Sequence, residues 1–181
     1  MRNMSRFVIL LVLLTAPAMQ FQAQSLQAGQ EIPRPSIPNY FEVSPLVGTG
    51  GQPTEDGIKL IAGKGYKNVI NIRSGSEAFD LAAEEKLALQ LGLRYYMIPV
   101  AAKEPSEAQA LAFNTLMSAL KSDKVFVHCG SGNRVGSLMM IYFVLEEGMA
   151  PDKAEQEARK IGLRSADLLD FARRVIAGHK K

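Results

Sequence analysis

The segment that most constrains the fold is Val125–Gly136, VFVHCGSGNRVG, because it passes from a strand-like run through a glycine-rich turn into an apolar run. Lys124–Val127 is β-branched and aromatic, which is typical of a buried strand. Val135–Leu145 is long and apolar enough to form a buried helix. Cys129–Arg134 is therefore predicted to be a strand-to-helix loop.

A loop of this kind is suited to binding anions. Its backbone N–H groups and the positive end of the following helix dipole both favour negative charge. The same field favours the thiolate form of Cys129, which is the nucleophilic form. Arg134 adds a planar fork of donors that fits a tetrahedral oxyanion. We therefore predict Cys129 and Arg134 as catalytic residues. The predicted substrate-binding residues of the loop are Gly130, Ser131, Gly132 and Asn133.

The residues around Cys129 distinguish it from an ordinary cysteine. A single cysteine is more often a small buried hydrophobic residue than a nucleophile. Here a histidine precedes it, glycines follow at the first and third positions, and an arginine follows at the fifth. His128 is expected to orient the loop by hydrogen bonding, although a purely structural role fits it equally well. Arg73, at the end of a predicted strand, is a further candidate for substrate binding.

The run His128–Arg134 resembles the active-site loop of cysteine-dependent protein tyrosine and dual-specificity phosphatases. The loop of that superfamily is His-Cys-x5-Arg followed by Ser or Thr, whereas this chain has Cys-x4-Arg followed by Val135. The chain is similar in particular to the phosphatase-like domain of beta-lactamase-hydrolase-like proteins, which has a short loop of this type. That similarity includes the stretch GGQPTEDGIKLIAGKGYKNVINIR and spans about Phe41 to Glu147.

The resemblance implies a phosphatase mechanism in which Cys129 attacks phosphorus and Arg134 holds the phosphoryl oxygens. A general acid must then protonate the leaving oxygen. In the resembled phosphatases an aspartate supplies this proton from just past a strand similar to YYMIPV, where this chain has Ala101-Ala102. Glu104 is the carboxylate predicted to take its place.

Two other functions stay open beside a phosphatase. Many rhodanese-type sulfurtransferases also have a six-residue loop from Cys to Arg, and there the cysteine carries a persulfide, which needs no general acid. A non-catalytic anion-binding module is the third possibility. The predicted partner is accordingly a small phosphorylated molecule, a sulfur donor or a phosphoprotein. No metal site and no cofactor are predicted.

Residues 1–18 are typical of a secretory signal peptide. Arginines precede eight apolar residues, Phe7–Leu14, and Ala16–Ala18 is a small-x-small cleavage site. Eight residues fall far short of the ~20 that a membrane-spanning helix needs. We therefore predict a periplasmic or secreted protein that has no stable membrane span once the signal is removed.

Cleavage after residue 18 changes the charge of the chain. The full sequence has a net charge of +3, and the leader holds two arginines and no acidic residue, which leaves about +1. So small a charge argues against nucleic-acid binding by bulk electrostatics. The single cysteine excludes an internal disulfide. A free thiol in an oxidising compartment therefore needs another role, and catalysis is one.

The rest of the chain alternates strand-like and helix-like segments. Residues 19–38, rich in Gln, Pro and Ser, are predicted to be an extended lead-in, and residues 39–181 one phosphatase-like domain. Besides the strand before Cys129, the predicted strands are Phe41–Val47, Lys67–Ile72 and Leu93–Val100, with a turn at Gly48–Pro53. Besides the helix after the loop, the predicted helices are Thr54–Lys64, Asp80–Leu91, Ser106–Leu120, Pro151–Ile161 and Ser165–Ala177. This alternation predicts an α/β fold with a mostly parallel central sheet flanked by helices. The resemblance makes that fold protein tyrosine phosphatase-like.

Overall fold

The sheet at the centre of the protein is seen in a computed structural model, which describes residues 36–75, 77, 79–103 and 105–179. Within this part of the chain the sheet has five strands in the order β1-β2-β5-β3-β4. Its strands are β1 (Phe41–Ser44), β2 (Val47–Gly50), β3 (Asn68–Asn71), β4 (Arg94–Met97) and β5 (Val125–His128). β1 is antiparallel to β2, and the remaining pairs are parallel. The predicted, mostly parallel α/β sheet is thus confirmed.

Helices cover both faces of this sheet. They are α1 (Glu55–Gly63), α2 (Leu81–Gln90), α3 (Glu107–Ala119), α4 (Asn133–Leu145), α5 (Pro151–Ile161) and α6 (Ala166–His179). Side chains alternate along β5, so Val125 and Val127 join the hydrophobic cluster formed with α3 to α6. Phe126 joins the smaller cluster on the opposite face, formed with α1 and α2.

Three helices have a capping residue where the predicted helices start, at Thr54, Asp80 and Ser106. The Thr54 side chain accepts from the Gly57 N–H, and the Asp80 side chain accepts from the Ala83 N–H. Ser106 and Gln109 form the reciprocal capping box expected from their spacing. Because caps depend on residues three positions apart, these boundaries are predicted correctly from the local sequence.

The first predicted strand is wrong in its extent. Instead of one strand over residues 41–47 and a turn over 48–53, the chain forms a β1–β2 hairpin, and β2 lies beside β5. The backbone N–H groups of Leu46 and Val47 donate to the Ser44 hydroxyl in the tight connection. The glycines of β2 suggest a turn, but they allow close packing instead: a Cβ on Gly48 would lie 2.0 Å from the Tyr66 hydroxyl oxygen.

The signal peptide predicted at residues 1–18, and the lead-in as far as residue 35, lie outside the described residues. The described end of the lead-in packs against the domain. Ile37 is buried in the cluster beside α1, and the Ser36 carbonyl accepts from the Thr54 N–H at 2.8 Å. Among the described helices, none has both the length and the apolar character required to cross a bilayer.

Candidate active site

Cys129 lies at the carboxyl edge of the sheet, directly after β5, the central strand. All four residues of β5 are buried. In the strand register, His128 lies opposite Gly50 of β2 and Asn71 of β3. Three parallel strands therefore end together at the edge where open α/β sheets place ligands.

The loop from Cys129 to Arg134 curls so that its backbone turns toward the sulfur. The Gly132 N–H donates to Cys129 Sγ at 3.1 Å, and Gly132 is the N-cap residue of α4. Gly132 has φ +86°, and a Cβ there would lie 3.0 Å from the Ile161 carbonyl oxygen. This position requires glycine. The thiol of Cys129 is thus buried at the positive end of a 13-residue helix.

Neighbouring loops hold the predicted substrate-binding residues Gly130 and Ser131 in place. The Gln52 N–H donates to the Gly130 carbonyl at 3.2 Å, and the Asn39 side chain donates to the Ser131 carbonyl at 2.9 Å. Gly51 and Ser131 form an isolated β-bridge. These contacts use the carbonyl groups of the loop and fix its backbone from outside.

The Asn133 side chain serves the scaffold. Its Oδ1 accepts from the backbone N–H groups of Arg164 at 2.8 Å and Ser165 at 3.2 Å, in the segment that leads into α6. If Asn133 contacts a bound anion, it does so through its backbone N–H, which lies in the first turn of α4.

Arg134, the second predicted catalytic residue, is buried beside the loop. Its Nη1 and Nη2 donate to the two carboxylate oxygens of Glu77 at 2.6 and 2.8 Å, and Nη1 also donates to the Val100 carbonyl at 2.9 Å. Burial disfavours the charged guanidinium, but Glu77 and Cys129 outweigh it and raise the pKa of Arg134. Arg134 therefore remains a fixed positive charge.

Arg73 reaches the same carboxylate from the end of β3. Its Nε donates to Glu77 Oε2 at 3.1 Å, and one terminal nitrogen donates to Gln52 Oε1 at 2.6 Å. The guanidinium carbon lies 4.0 Å from the centre of the Phe79 ring. The structure thus brings Arg73 and Arg134 together through Glu77.

Glu77 is the site residue that the sequence reading missed. Besides the two arginines, the Ser74 backbone N–H and hydroxyl donate to its carboxylate at 2.9 and 3.1 Å. A Cβ on Gly130 would lie 3.7 Å from Glu77 Oε2, so the carboxylate lies over the loop. The hydrogen bond from Arg134 is the main cause that lowers the pKa of Glu77 to about 2. Glu77 is therefore anionic at neutral pH and unsuited to donate a proton.

His128 packs on the face of the sheet that α1 and α2 cover. Its Nε2 lies 3.1 Å from Glu84 Oε1, and both side chains are buried. Within the described part of the chain, neither ring nitrogen makes a hydrogen bond, so the predicted hydrogen bond from His128 to the loop is not seen there. The ring stacks on Phe126, with centroids 6.0 Å apart.

The structure does not show a general acid or a hydroxyl group beside Arg134 among the described residues considered for these roles. Glu104, the predicted general acid, lies outside the described residues. Val135, in the place of the hydroxyl residue of the resembled phosphatases, is fully buried in the core. Ser137 donates to the Leu168 carbonyl at 2.8 Å and is buried, so its hydroxyl is used in packing α4 against α6.

Comparison with known proteins shows which family the chain is similar to. Residues 37–172 match the family described as DSP-PTPase phosphatase fused to NAD+ kinase. Beta-lactamase hydrolase-like proteins from two strains of Xylella fastidiosa, Temecula1 and 9a5c, are 30% identical over 117 residues. That match takes up 63% of this chain but 27% of each relative, so the chain spans about a quarter of their length.

Solved structures show the same fold. A DUF442 protein from Shewanella putrefaciens CN-32 is 26% identical, with a TM-score of 0.69 over 80% of this chain and 95% of the other. A cysteine-to-serine variant of P. aeruginosa TpbA, solved in complex with pTyr, is 19% identical, with a TM-score of 0.61 over 81% and 94%. The expected protein tyrosine phosphatase-like fold and the resemblance to cysteine phosphatases are confirmed. By its match over most of its length, the chain belongs to the family of DSP-PTPase phosphatases fused to NAD+ kinase.

Proposed function

We propose that the protein is an exported phosphomonoester hydrolase that forms a covalent phosphoryl intermediate on Cys129. The observation that carries this proposal is the 3.1 Å hydrogen bond from the Gly132 N–H to Cys129 Sγ at the N-terminus of α4. The donor aimed at sulfur, the positive end of the helix dipole and the nearby Arg134 charge all favour negative charge at this position, whether on the attacking sulfur or on a bound oxyanion.

The reaction has two steps. In the first, the Cys129 thiolate attacks phosphorus, a sulfur–phosphorus bond forms, and the bond to the ester oxygen breaks as that oxygen takes a proton. In the second, water attacks the same phosphorus, and Cys129 leaves as the thiolate while inorganic phosphate forms. The loop N–H groups and Arg134 bind the equatorial oxygens in both transition states. Since both terminal nitrogens of Arg134 bind Glu77, an incoming phosphoryl group must share or displace that carboxylate.

The substrate class that we propose is an aryl phosphate, free or as phosphotyrosine in a protein. TpbA, whose fold this chain shares, was solved with pTyr. The site chemistry favours the same class, because a phenol leaves with less help from a general acid than an alcohol does. Glu77 cannot supply that help at neutral pH, since two arginines hold it as a carboxylate. Glu104 remains the proposed acid.

Hydrolysis of p-nitrophenyl phosphate by the chain without residues 1–18 tests this function. We expect Cys129→Ser to abolish turnover. Arg134→Lys should lower kcat by about 10²–10³-fold, because lysine cannot form the same fork of donors. Arg159→Lys is the matched control, since Arg159 is exposed and pairs with Glu155 on the surface. Full turnover by Cys129→Ser would overturn the proposal. So would sulfur transfer from thiosulfate to cyanide without phosphate release, which would favour a sulfurtransferase.

Export is a separate part of the proposal and has its own test. We propose that the leader is cleaved after Ala18, so that the protein acts in the periplasm or outside the cell. The mass of the protein recovered from a periplasmic extract should correspond to a chain that begins at Met19. Recovery of the uncut chain from the cytoplasm would contradict export without affecting the phosphatase proposal.

A further inference from the structure

A cluster of buried and partly buried polar side chains lies beside the Cys129 loop and has no part in the mechanism above. We call it the Glu84 cluster. It consists of Gln52, Asn71, Glu84, Tyr95 and His128. Its members come from five parts of the fold, namely the loop after β2, strand β3, helix α2, strand β4 and strand β5. The carboxylate of Glu84 lies at its centre.

Both oxygens of Glu84 are engaged. Asn71 Nδ2 donates to Oε1 at 3.3 Å, the Tyr95 hydroxyl donates to the same oxygen, and His128 Nε2 lies 3.1 Å from it. Gln52 Nε2 donates to Oε2. Burial alone would raise the pKa of Glu84, but His128 and the donors around the carboxylate outweigh burial and lower it. Glu84 is therefore a buried carboxylate that keeps its charge.

Burying a charged side chain in the protein interior is energetically unfavourable. Moving a carboxylate out of water is unfavourable, and apolar residues of similar volume often stabilise a protein as well or better. Asn71 and Tyr95 also hydrogen-bond each other at 2.8 Å, so these donors do not depend on Glu84 alone. An apolar residue at position 84 would pack α2 against the sheet equally well, so packing alone does not explain why a glutamate is found there.

The partners of Glu84 continue directly into the proposed site. Gln52 binds Glu84 through its side-chain nitrogen, while its side-chain oxygen accepts from Arg73 at 2.6 Å. The backbone N–H of Gln52 donates to the Gly130 carbonyl of the loop at 3.2 Å. Asn71 binds Glu84 through Nδ2, while its Oδ1 accepts from the Arg73 backbone N–H at 2.8 Å. His128 is joined covalently to Cys129.

From this connectivity we propose that Glu84 is a positioning residue for the anion site. It sets the orientation of Gln52, Asn71 and His128, and these set the position of the Cys129 loop and of Arg73. Glu84 itself touches neither substrate nor sulfur. The inference deepens the proposed phosphatase function and rests on it for the kinetic readout only.

The test compares Glu84→Gln with Glu85→Gln. Glutamine keeps the shape of Glu84 but turns one acceptor into a donor, which then faces either the Gln52 donor or the Asn71 and Tyr95 donors. Glu85 is the neighbouring residue of α2 and is exposed, so Glu85→Gln controls for loss of a charge from this helix. We expect Glu84→Gln to lower kcat for p-nitrophenyl phosphate by about 10- to 100-fold, by analogy with the loss of groups that orient metal-binding side chains. Glu85→Gln should match the wild type.

Two readouts do not depend on turnover, and a merely structural Glu84 would not change them in a folded variant. They are the rate at which iodoacetamide alkylates Cys129 and the dissociation constant of orthovanadate, a phosphate-like anion. We expect slower alkylation and weaker vanadate binding in Glu84→Gln, measured at a temperature where it is fully folded by circular dichroism. If Glu84→Gln does not fold, Tyr95→Phe removes one donor to Glu84 and should shift both readouts in the same direction, by less.

The outcomes separate the two proposals. Altered alkylation and vanadate binding, with no phosphatase turnover even in the wild type, would support the positioning role and overturn the phosphatase function. If folded Glu84→Gln has the same alkylation rate, vanadate affinity and kcat as the wild type, the positioning role is overturned. The phosphatase function would not be affected by that result.

Discussion

Glu77 and Arg134 form a bidentate ion pair, with distances of 2.6 and 2.8 Å between the terminal guanidinium nitrogens and the two carboxylate oxygens. This geometry is the one in which arginine binds carboxylate and phosphate alike. In the described structure, therefore, the protein itself supplies an anion to the residue that we propose binds the phosphoryl group.

Glu77→Gln should strengthen the binding of anions to the site, because a neutral amide competes less well for Arg134 than a carboxylate does. We expect KM for p-nitrophenyl phosphate and the dissociation constant of orthovanadate both to fall severalfold. Glu155→Gln is the control, since Glu155 is likewise shared by two arginines, Arg159 and Arg173, but on the surface. Weaker binding of both ligands in Glu77→Gln would show that the carboxylate holds Arg134 in place rather than competing for it.

Acid should remove the contribution of Glu77 to stability. The pKa of Glu77 is lowered from 4.5 to about 2, chiefly by the hydrogen bond from Arg134. A lowered folded-state pKa stabilises the protein above the unfolded-state pKa, and this stabilisation is lost as pH falls toward the folded value. The free energy of unfolding should thus fall between about pH 5 and pH 2, and less steeply in Glu77→Gln. Parallel curves for the two proteins, measured by urea unfolding, would contradict the ion pair.

Gly132→Ala tests whether the loop needs its left-handed glycine. At φ +86°, alanine costs about 1–2 kcal/mol, and its Cβ would also meet the Ile161 carbonyl oxygen at 3.0 Å. Gly148→Ala is the control, because Gly148 also has positive φ but open space around it. We expect Gly132→Ala to be the more destabilised in urea unfolding and to lose activity, while Gly148→Ala keeps it. Equal stabilities and equal activities would contradict the close contact at Gly132.

The predicted general acid, Glu104, is tested by the leaving group. If its carboxyl protonates the departing oxygen, Glu104→Gln should slow alkyl phosphate hydrolysis by about 10²–10⁴-fold, and p-nitrophenyl phosphate hydrolysis much less. Glu107→Gln is the control, because Glu107 lies in the first turn of α3 and contacts His179 at 2.7 Å. The same effect of Glu104→Gln on both substrates would exclude it as the acid.

The parts of the fold that were predictable depend on residues close together in sequence. The strand–loop–helix around Cys129 follows from an apolar run, glycines and a second apolar run. The start of α3 follows from the Ser106–Gln109 spacing. The β1–β2 hairpin was not predictable in this way, because Gly48 lies in a strand to make room for Tyr66, which is distant in sequence.

The carboxylates of the site were missed for a related reason. Glu77 is an ordinary loop residue until β3 and α4 bring Arg73 and Arg134 to it. A signal for Glu84 was present, since it lies one helical turn before Ala88, and both residues lie on the buried face of α2. A glutamate on the buried face of a helix indicates a partner elsewhere in the fold, but the sequence does not say that the partner is His128.

The central claim is that phosphorus becomes bonded to the sulfur of Cys129, and a rapid acid quench tests it most directly. The protein is mixed with p-nitrophenyl phosphate, quenched with acid during the first turnover and digested. The mass of the peptide that contains Cys129 is then measured by mass spectrometry. We predict a peptide heavier by one phosphoryl group in the wild type, and no such adduct in Cys129→Ser. Turnover with an unmodified Cys129 peptide, or an adduct on another residue, would contradict the account.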